Sequence, residues 1–176
     1  MKYPSKSQIK LLKQYRIIIL ESADQAGKST LGRYLHKKIK GSSYYHDPLD
    51  NKTGRINLFN YYKNIAEKSF DGPAIFDRSF YSGIVYDKVC EHKTHPTLQK
   101  RLEPYYENCC IIYCEPSKKN KIDRPEVYDM DEFGEELNFE FKKLWQKSNL
   151  PVYTWDYVTG TFDNFWRFED FETYGK

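Results

Sequence analysis

Residues Ile17-Ile18-Ile19-Leu20-Glu21-Ser22-Ala23-Asp24-Gln25-Ala26-Gly27-Lys28-Ser29-Thr30-Leu31 set an apolar run directly before a short polar loop, with Gly27-Lys28-Ser29 opening a helical pattern. Such a loop points successive backbone N–H groups at one spot and adds the positive end of a helix, an arrangement that holds a di- or triphosphate. Lys28 then reaches the β- and γ-phosphates of ATP and the Ser29 hydroxyl ligates Mg²⁺, while Asp24, Gln25, Ala26, Gly27 and Thr30 complete the ATP-binding loop. The full pattern has a glycine where this chain has Ser22. Serine takes the backbone geometry of that position at some cost. An ordinary strand, turn and helix start with a solvated lysine is the plainer alternative; the strand before, the helix after and the correct interval favour the nucleotide.

A second motif, Ala74-Ile75-Phe76-Asp77-Arg78-Ser79-Phe80-Tyr81-Ser82-Gly83-Ile84-Val85-Tyr86, is a strand that ends in Asp-Arg and runs into a helix. Ligands of parallel α/β sheets bind at the carboxyl ends of strands, so Asp77 and Arg78 are expected in the same crevice as Lys28. Arg78 can hold a phosphate in its fork of N–H donors. Asp77 can accept from metal-bound water or from a substrate hydroxyl. Taken alone the pair reads equally as a surface ion pair at a helix start, and its co-occurrence with the first motif turns the balance.

The stretch Glu115 to Asp131 is charge-dense and poor in apolar residues, and it contains Lys118, Lys119, Lys121 and Arg124. It is expected to form a mobile lid, about residues 116–130, over the cleft. Phosphoryl transfer depends on positioning and on neutralising charge spread over the transferred group, which a closing loop with an arginine can supply. Arg124 is the candidate catalytic cation, with Lys121 second. A merely solvated basic loop is the competing reading.

Leu20-Glu21-x-x-Asp24-x-Ala26-Gly27-Lys28-Ser29-Thr30 resembles the loop of thymidylate kinases, and Asp77 to Tyr86 resembles their motif Asp-Arg-Tyr-x-x-Ser-x-x-Ala-Tyr, with Ser79 replacing the first tyrosine and Val85 the alanine. The resemblance implies that Asp24 lies near the acceptor's sugar and the metal, that Arg78 grips the acceptor phosphate, that Asp77 supports Mg²⁺, and that Tyr81, Ser82 and Tyr86 approach base or sugar. Some members carry a catalytic arginine directly after the loop acid, where this chain has Gln25; members without it carry one in the lid, which is the place of Arg124. The acceptor-side helix with a stacking Phe and an Arg has no clear counterpart between Gly54 and Asp77, leaving Phe59, Tyr62 or Tyr81 for stacking, although Phe59, Tyr62 and Ala66 are also spaced as a helix packed on a sheet. Related kinases are often dimers through the helices flanking the second motif, so Ile84, Val85 and Val89 serve either that contact or the core. The compact chain resembles virus-encoded members.

The elements that must carry these groups follow from the apolar pattern. Short runs at Arg16 to Leu20, Ser43 to His46, Pro73 to Phe76, Cys109 to Cys114 and Val152 to Trp155 alternate with amphipathic stretches at Lys28 to Ile39, Ile56 to Phe70, Phe80 to His92, Thr97 to Tyr106 and Asp131 to Ser148. This alternation predicts an α/β fold with a five-stranded parallel sheet flanked by helices, and the resemblance implies that it is of the P-loop NTPase type. Residues 1–15 are an N-terminal extension and 16–176 a single kinase domain.

Composition narrows the function classes. Among 176 residues, 28 Lys+Arg stand against 25 Asp+Glu, a net charge of +3, which excludes a strongly basic nucleic-acid coat. No apolar run approaches the roughly 20 residues of a membrane span. The four lysines of Met1 to Lys13 are not followed by a signal-like apolar segment, so a soluble, cytoplasmic protein is expected. Cys90, Cys109, Cys110 and Cys114 lack His partners at zinc spacing and read as buried thiols in a reducing compartment.

The leading expectation is ATP-dependent phosphorylation of a pyrimidine deoxynucleoside monophosphate, dTMP or a close analogue, with Mg²⁺. The alternative is a deoxynucleoside or nucleic-acid hydroxyl kinase with Asp77 as general base, because Asp77-Arg78-Ser79 also resembles the Glu-Arg-Ser motif of deoxynucleoside kinases. A noncatalytic nucleotide-binding or nucleic-acid-binding protein is the third. The joint presence of Lys28, Ser29, Asp77 and Arg78 argues against it, as does the near-neutral charge against extended phosphate-backbone binding.

Overall fold

The protein is described from a computed structural model, which covers residues 2–23, 26–46, 57–68, 71–90, 97–115 and 130–164. The elements run α1 (Lys6–Leu12), β1 (Ile17–Glu21), α2 (Lys28–Lys38), β2 (Ser43–His46), α3 (Leu58–Glu67), β3 (Ala74–Asp77), α4 (Phe80–Cys90), α5 (Thr97–Leu102) with a 3-10 turn (Glu103–Tyr106), β4 (Cys109–Cys114), α6 (Met130–Gln146), β5 (Val152–Trp155) and β6 (Phe162–Asn164). The sheet has six strands in the order β2-β3-β1-β4-β5-β6. The first five are parallel, and β6 pairs antiparallel to β5 with Trp155 opposite Phe162.

The expected five-stranded sheet is therefore corrected to six. Phe162-Asp163-Asn164 is too short and too polar to announce a strand, and β5 draws it into pairing. The segment before β1 holds helix α1, started by a capping box in which the Ser5 hydroxyl accepts from the Gln8 amide and the Gln8 side chain from the Ser5 amide. Its Ile9 and Leu12 are buried.

Each central strand feeds two cores, because successive side chains point to opposite faces. Ile17 and Ile19 of β1, Ala74 and Phe76 of β3, and Cys109, Ile111 and Tyr113 of β4 pack with the apolar sides of α3, α4 and α6. Ile18 and Leu20, Ile75, and Cys110, Ile112 and Cys114 face α1, α2 and β6. Each fully buried Ile or Leu contributes about 1.5–3 kcal/mol, which explains why these runs are unbroken by polar residues. Val85 and Val89 of α4 are core residues and Ile84 packs partly buried against them. Among the described residues, no helix is long and apolar enough to cross a membrane.

This topology decides where a ligand can sit. Beyond β1 the connections pass to β2 and β3 on one side and to β4 on the other, which makes the carboxyl end of β1 the switch point at which ligands of such sheets bind. Parallel register brings Leu20 beside Asp77 and His46 beside Asp77, which delivers the ends of β1, β2 and β3 to one edge.

Candidate active site

The phosphate loop begins where β1 ends. Gly27 caps α2 with φ 79°, a left-handed conformation that glycine adopts without strain. Its carbonyl accepts from Leu31 at 3.0 Å, so α2 starts directly at Lys28. The Lys28 side chain is 5% exposed and folds back over the loop, its Nζ donating to Ser22 O at 3.2 Å, Ser22 Oγ at 3.1 Å and Ala23 O at 2.5 Å. Ser22, the residue in place of the expected glycine, thus serves the lysine with both its carbonyl and its hydroxyl. Ala26 is buried, Ser29 half-buried and Thr30 exposed. Asp24 and Gln25 lie outside the described residues, as do 116–129 of the lid with Lys118, Lys119, Lys121 and Arg124.

Asp77 is 1% exposed at the end of β3. Its Oδ2 accepts from the Tyr44 hydroxyl at 2.7 Å and lies 3.0 Å from His46 Nδ1, whereas Oδ1 is buried with no hydrogen-bond partner among the described residues. A buried acceptor left without a donor is costly, of order 1–3 kcal/mol, a cost that a donor or cation brought by a ligand would relieve. The Ser29 side chain also comes within hydrogen-bonding reach of Tyr44, so that phenol bridges the start of α2 and the end of β3. Burial first, and then the bond to Asp77, raise the Tyr44 pKa well above its ordinary value; it remains a donor across the neutral range. Gly32 permits this arrangement: a Cβ there would stand 2.5 Å from Tyr44 Cε2.

Arg78 follows at φ 71°, the one left-handed non-glycine among the described residues. Its guanidinium carbon sits 5.1 Å from the centre of the Tyr86 ring, within cation–π range, and its N–H groups reach the Tyr86 hydroxyl. Burial raises the Tyr86 pKa while the Arg78 charge pulls it down. Tyr81 is 4% exposed, packed against Phe80 and edge-on to Trp145. Ser82 is fully buried and donates to Glu21. Among the other stacking candidates, Tyr62 is wholly buried in the core, and Phe59 packs edge-on to Tyr105 beneath the Arg101 guanidinium.

The structure therefore gathers Lys28, Ser29, Asp77 and Arg78 along one edge, and adds three groups without a role in the sequence reading. Tyr44 and His46 occupy alternate positions of β2; the parallel register that aligns His46 with Asp77 is their only signal. Glu21 was visible as an acid closing an apolar run. It is wholly buried, accepts from Ser79 N at 2.8 Å and Ser79 Oγ at 2.7 Å through Oε1, and from Ser82 Oγ through Oε2. Burial raises its pKa, against the hydrogen bonds from Ser82 and Ser79 and the charges of Arg78 and Lys28.

Oxygen donors dominate the edge, the set that suits a hard divalent cation held jointly with phosphates. Among the described residues no group of three or more His, Cys, Asp or Glu side chains is placed to hold a metal by itself. One carboxylate oxygen of Asp77 and the Ser29 hydroxyl fit a cation whose remaining ligands are phosphate and water.

No protein-family model matches the chain, and no curated protein does. Among solved structures it is similar to YorR of Bacillus subtilis, determined in complex with phosphorylated GDP, with 23% identity and a TM-score of 0.62 over 80% of this chain and 85% of that one. The likeness is one of fold: a mostly parallel sheet flanked by helices.

Proposed function

We propose that the protein is a nucleotide kinase that transfers the γ-phosphoryl group of ATP to a pyrimidine deoxynucleoside monophosphate, dTMP or a close analogue. The observation that carries this reading is the unpartnered, buried Oδ1 of Asp77 at the carboxyl edge shared by the Lys28 loop and Arg78. The nucleotide held by YorR, a protein of similar fold, supports a nucleotide as ligand.

The chemistry follows from charge. Donor and acceptor phosphates are both anionic, so their approach is opposed chiefly by repulsion, and a phosphate acceptor needs no strong base. Loop N–H groups and Lys28 bind the donor's β- and γ-phosphates. Arg78 holds the acceptor phosphate in its fork, and its ring contact with Tyr86 limits how far the fork can swing. Mg²⁺, held by Ser29 and Asp77 with the phosphates, would supply further neutralisation of the transferred group. Tyr44 and His46 fix Asp77 so that Oδ1 faces that ligand. In this reading Arg124, or Lys121, supplies the further positive charge that the transferred group needs.

A second reading draws on the same oxygen. An oriented, buried carboxylate with one free lone-pair side can accept the proton of an alcohol, which makes Asp77 the general base of a kinase acting on a nucleoside or nucleic-acid hydroxyl.

An ADP-release assay with ATP·Mg²⁺ against dTMP, dUMP, modified dUMP analogues, thymidine and single-stranded DNA separates them. Turnover with dTMP or a dUMP analogue is expected. Turnover with thymidine and not dTMP would overturn the first reading, and turnover with DNA alone would overturn both small-molecule acceptors. Lys28→Ala abolishes transfer in every enzymatic case. Asp77→Asn is fatal for a hydroxyl acceptor and milder where the acid only orients metal-bound water.

A further inference from the structure

We propose that Glu21 is the positioning residue for Arg78, setting the direction in which the guanidinium leaves the sheet and coupling the acceptor side of the crevice to the strand that carries the phosphate loop. The proposal rests on the nucleotide-kinase reading of the site.

A left-handed backbone at a non-glycine residue costs roughly 1–2 kcal/mol and persists only where the surroundings over-determine it. At Arg78 both flanking peptide planes are tied to the end of β1. The Arg78 N–H donates to Leu20 O at 3.0 Å, and the next N–H, that of Ser79, donates to Glu21 Oε1 at 2.8 Å. The first bond orients the plane before Arg78 and the second the plane after it, so φ and ψ are both set from β1. The other carboxylate oxygen accepts from Ser82 in the first turn of α4, which anchors the helix that carries Tyr86, the ring under the guanidinium.

Burying a carboxylate with no exposure is unfavourable. Here three donors, with the charges of Arg78 and Lys28, offset part of that cost. A fold that needed only a turn at this place could take glycine at position 78, which adopts positive φ freely, and an apolar residue at 21. The chain instead puts an arginine in the strained position and a buried acid to hold it there.

The test uses the whole chain as Glu21→Ala and Glu21→Gln beside wild type, with ATP and dTMP titrated separately, thermal unfolding, and the ¹⁵N signals of the Ser79 amide and the Arg78 Nε without substrate. For Glu21→Ala the dTMP KM should rise about tenfold or more with the ATP KM within about twofold, and the Arg78 Nε signal should move or broaden. Glu21→Gln keeps an oxygen for the Ser79 N–H and should show a smaller rise of the same kind, which also covers the case in which the alanine variant does not fold. An unchanged dTMP KM with an unmoved Arg78 signal would overturn the proposal, as would a loss shared by both substrates that follows the unfolded fraction. A wild type that transfers phosphate to no nucleotide would instead overturn the kinase reading, and the Arg78 signal would still decide whether Glu21 positions it.

Discussion

The Tyr44 hydroxyl donates to Asp77 Oδ2 at 2.7 Å from the adjacent strand, and the carboxylate's other oxygen is left buried and unpaired. The pair divides the labour of one acid: one oxygen is fixed by the fold, and under the proposed function the other meets the ligand. A hydrogen bond to a charged group is worth about 1.5–3 kcal/mol. Tyr44→Phe should therefore lower kcat by about tenfold to a hundredfold while the His46 contact keeps the carboxylate near its place. Steady-state ADP release with a parallel thermal melt checks this; an unchanged kcat in a folded variant would remove Tyr44 from the site.

Gly32→Ala approaches the same pair from behind. The added Cβ meets Tyr44 Cε2 at 2.5 Å and Leu20 Cδ1 at 3.0 Å, so the ring must shift. Overpacking of this kind costs about 1–3 kcal/mol, and for a chain of this size each kcal/mol lowers Tm by roughly 2–4 °C. Calorimetry should show that drop, and kcat should fall in the same direction as for Tyr44→Phe. A variant as stable and active as wild type would show that Tyr44 has room to move.

The raised pKa of Glu21 makes stability depend on pH in a defined direction. Folding holds this proton more tightly than the unfolded chain, where the ordinary value is 4.5. The stabilising contribution of the neutral form is full below that value and is lost as pH rises through the folded pKa. Glu21→Gln has no such loss. Its Tm should therefore gain on wild type as pH rises above about 4.5. Melting curves across that range test the sign, and a difference that is flat or falls with pH contradicts it.

Thiol reactivity should divide the cysteines one against three. Cys109, Cys110 and Cys114 are buried in β4, and burial raises their thiols, Cys109 to about 12. Cys90 at the end of α4 is half-buried. A chromogenic disulfide reagent at mild alkaline pH should titrate one thiol in the native protein and all four after denaturation. Rapid native reaction of two or more would show that β4 opens readily.

Much of this architecture was legible because buried parallel strands announce themselves. Ile17 to Leu20 and Cys109 to Cys114 have no polar interruption, as strands covered on both faces require. β6 was not legible, since one apolar residue in three has no period. The Lys28 loop and the Asp77-Arg78 pair could be read because their chemistry is local in the chain. Tyr44 and His46 could not, because they act through a neighbouring strand whose register no single segment encodes. Side-chain contacts off α4 were equally hidden: the resemblance implies that Tyr81 and Ser82 approach a ligand, and the helix sets Tyr81 against Trp145 and Ser82 against Glu21.

The opening residues and the last hairpin are stitched together. Lys2 N–H donates to Tyr157 O, and the Gln8 side chain reaches Phe162 O across 154 positions. During synthesis α1 emerges well before its docking partners in the β5–β6 hairpin. Until β5 and β6 clear the ribosome, Ile9 and Leu12 have only part of their burial. The domain consequently closes late, and truncated products ending before β5 should be held by chaperones rather than folding as a smaller domain.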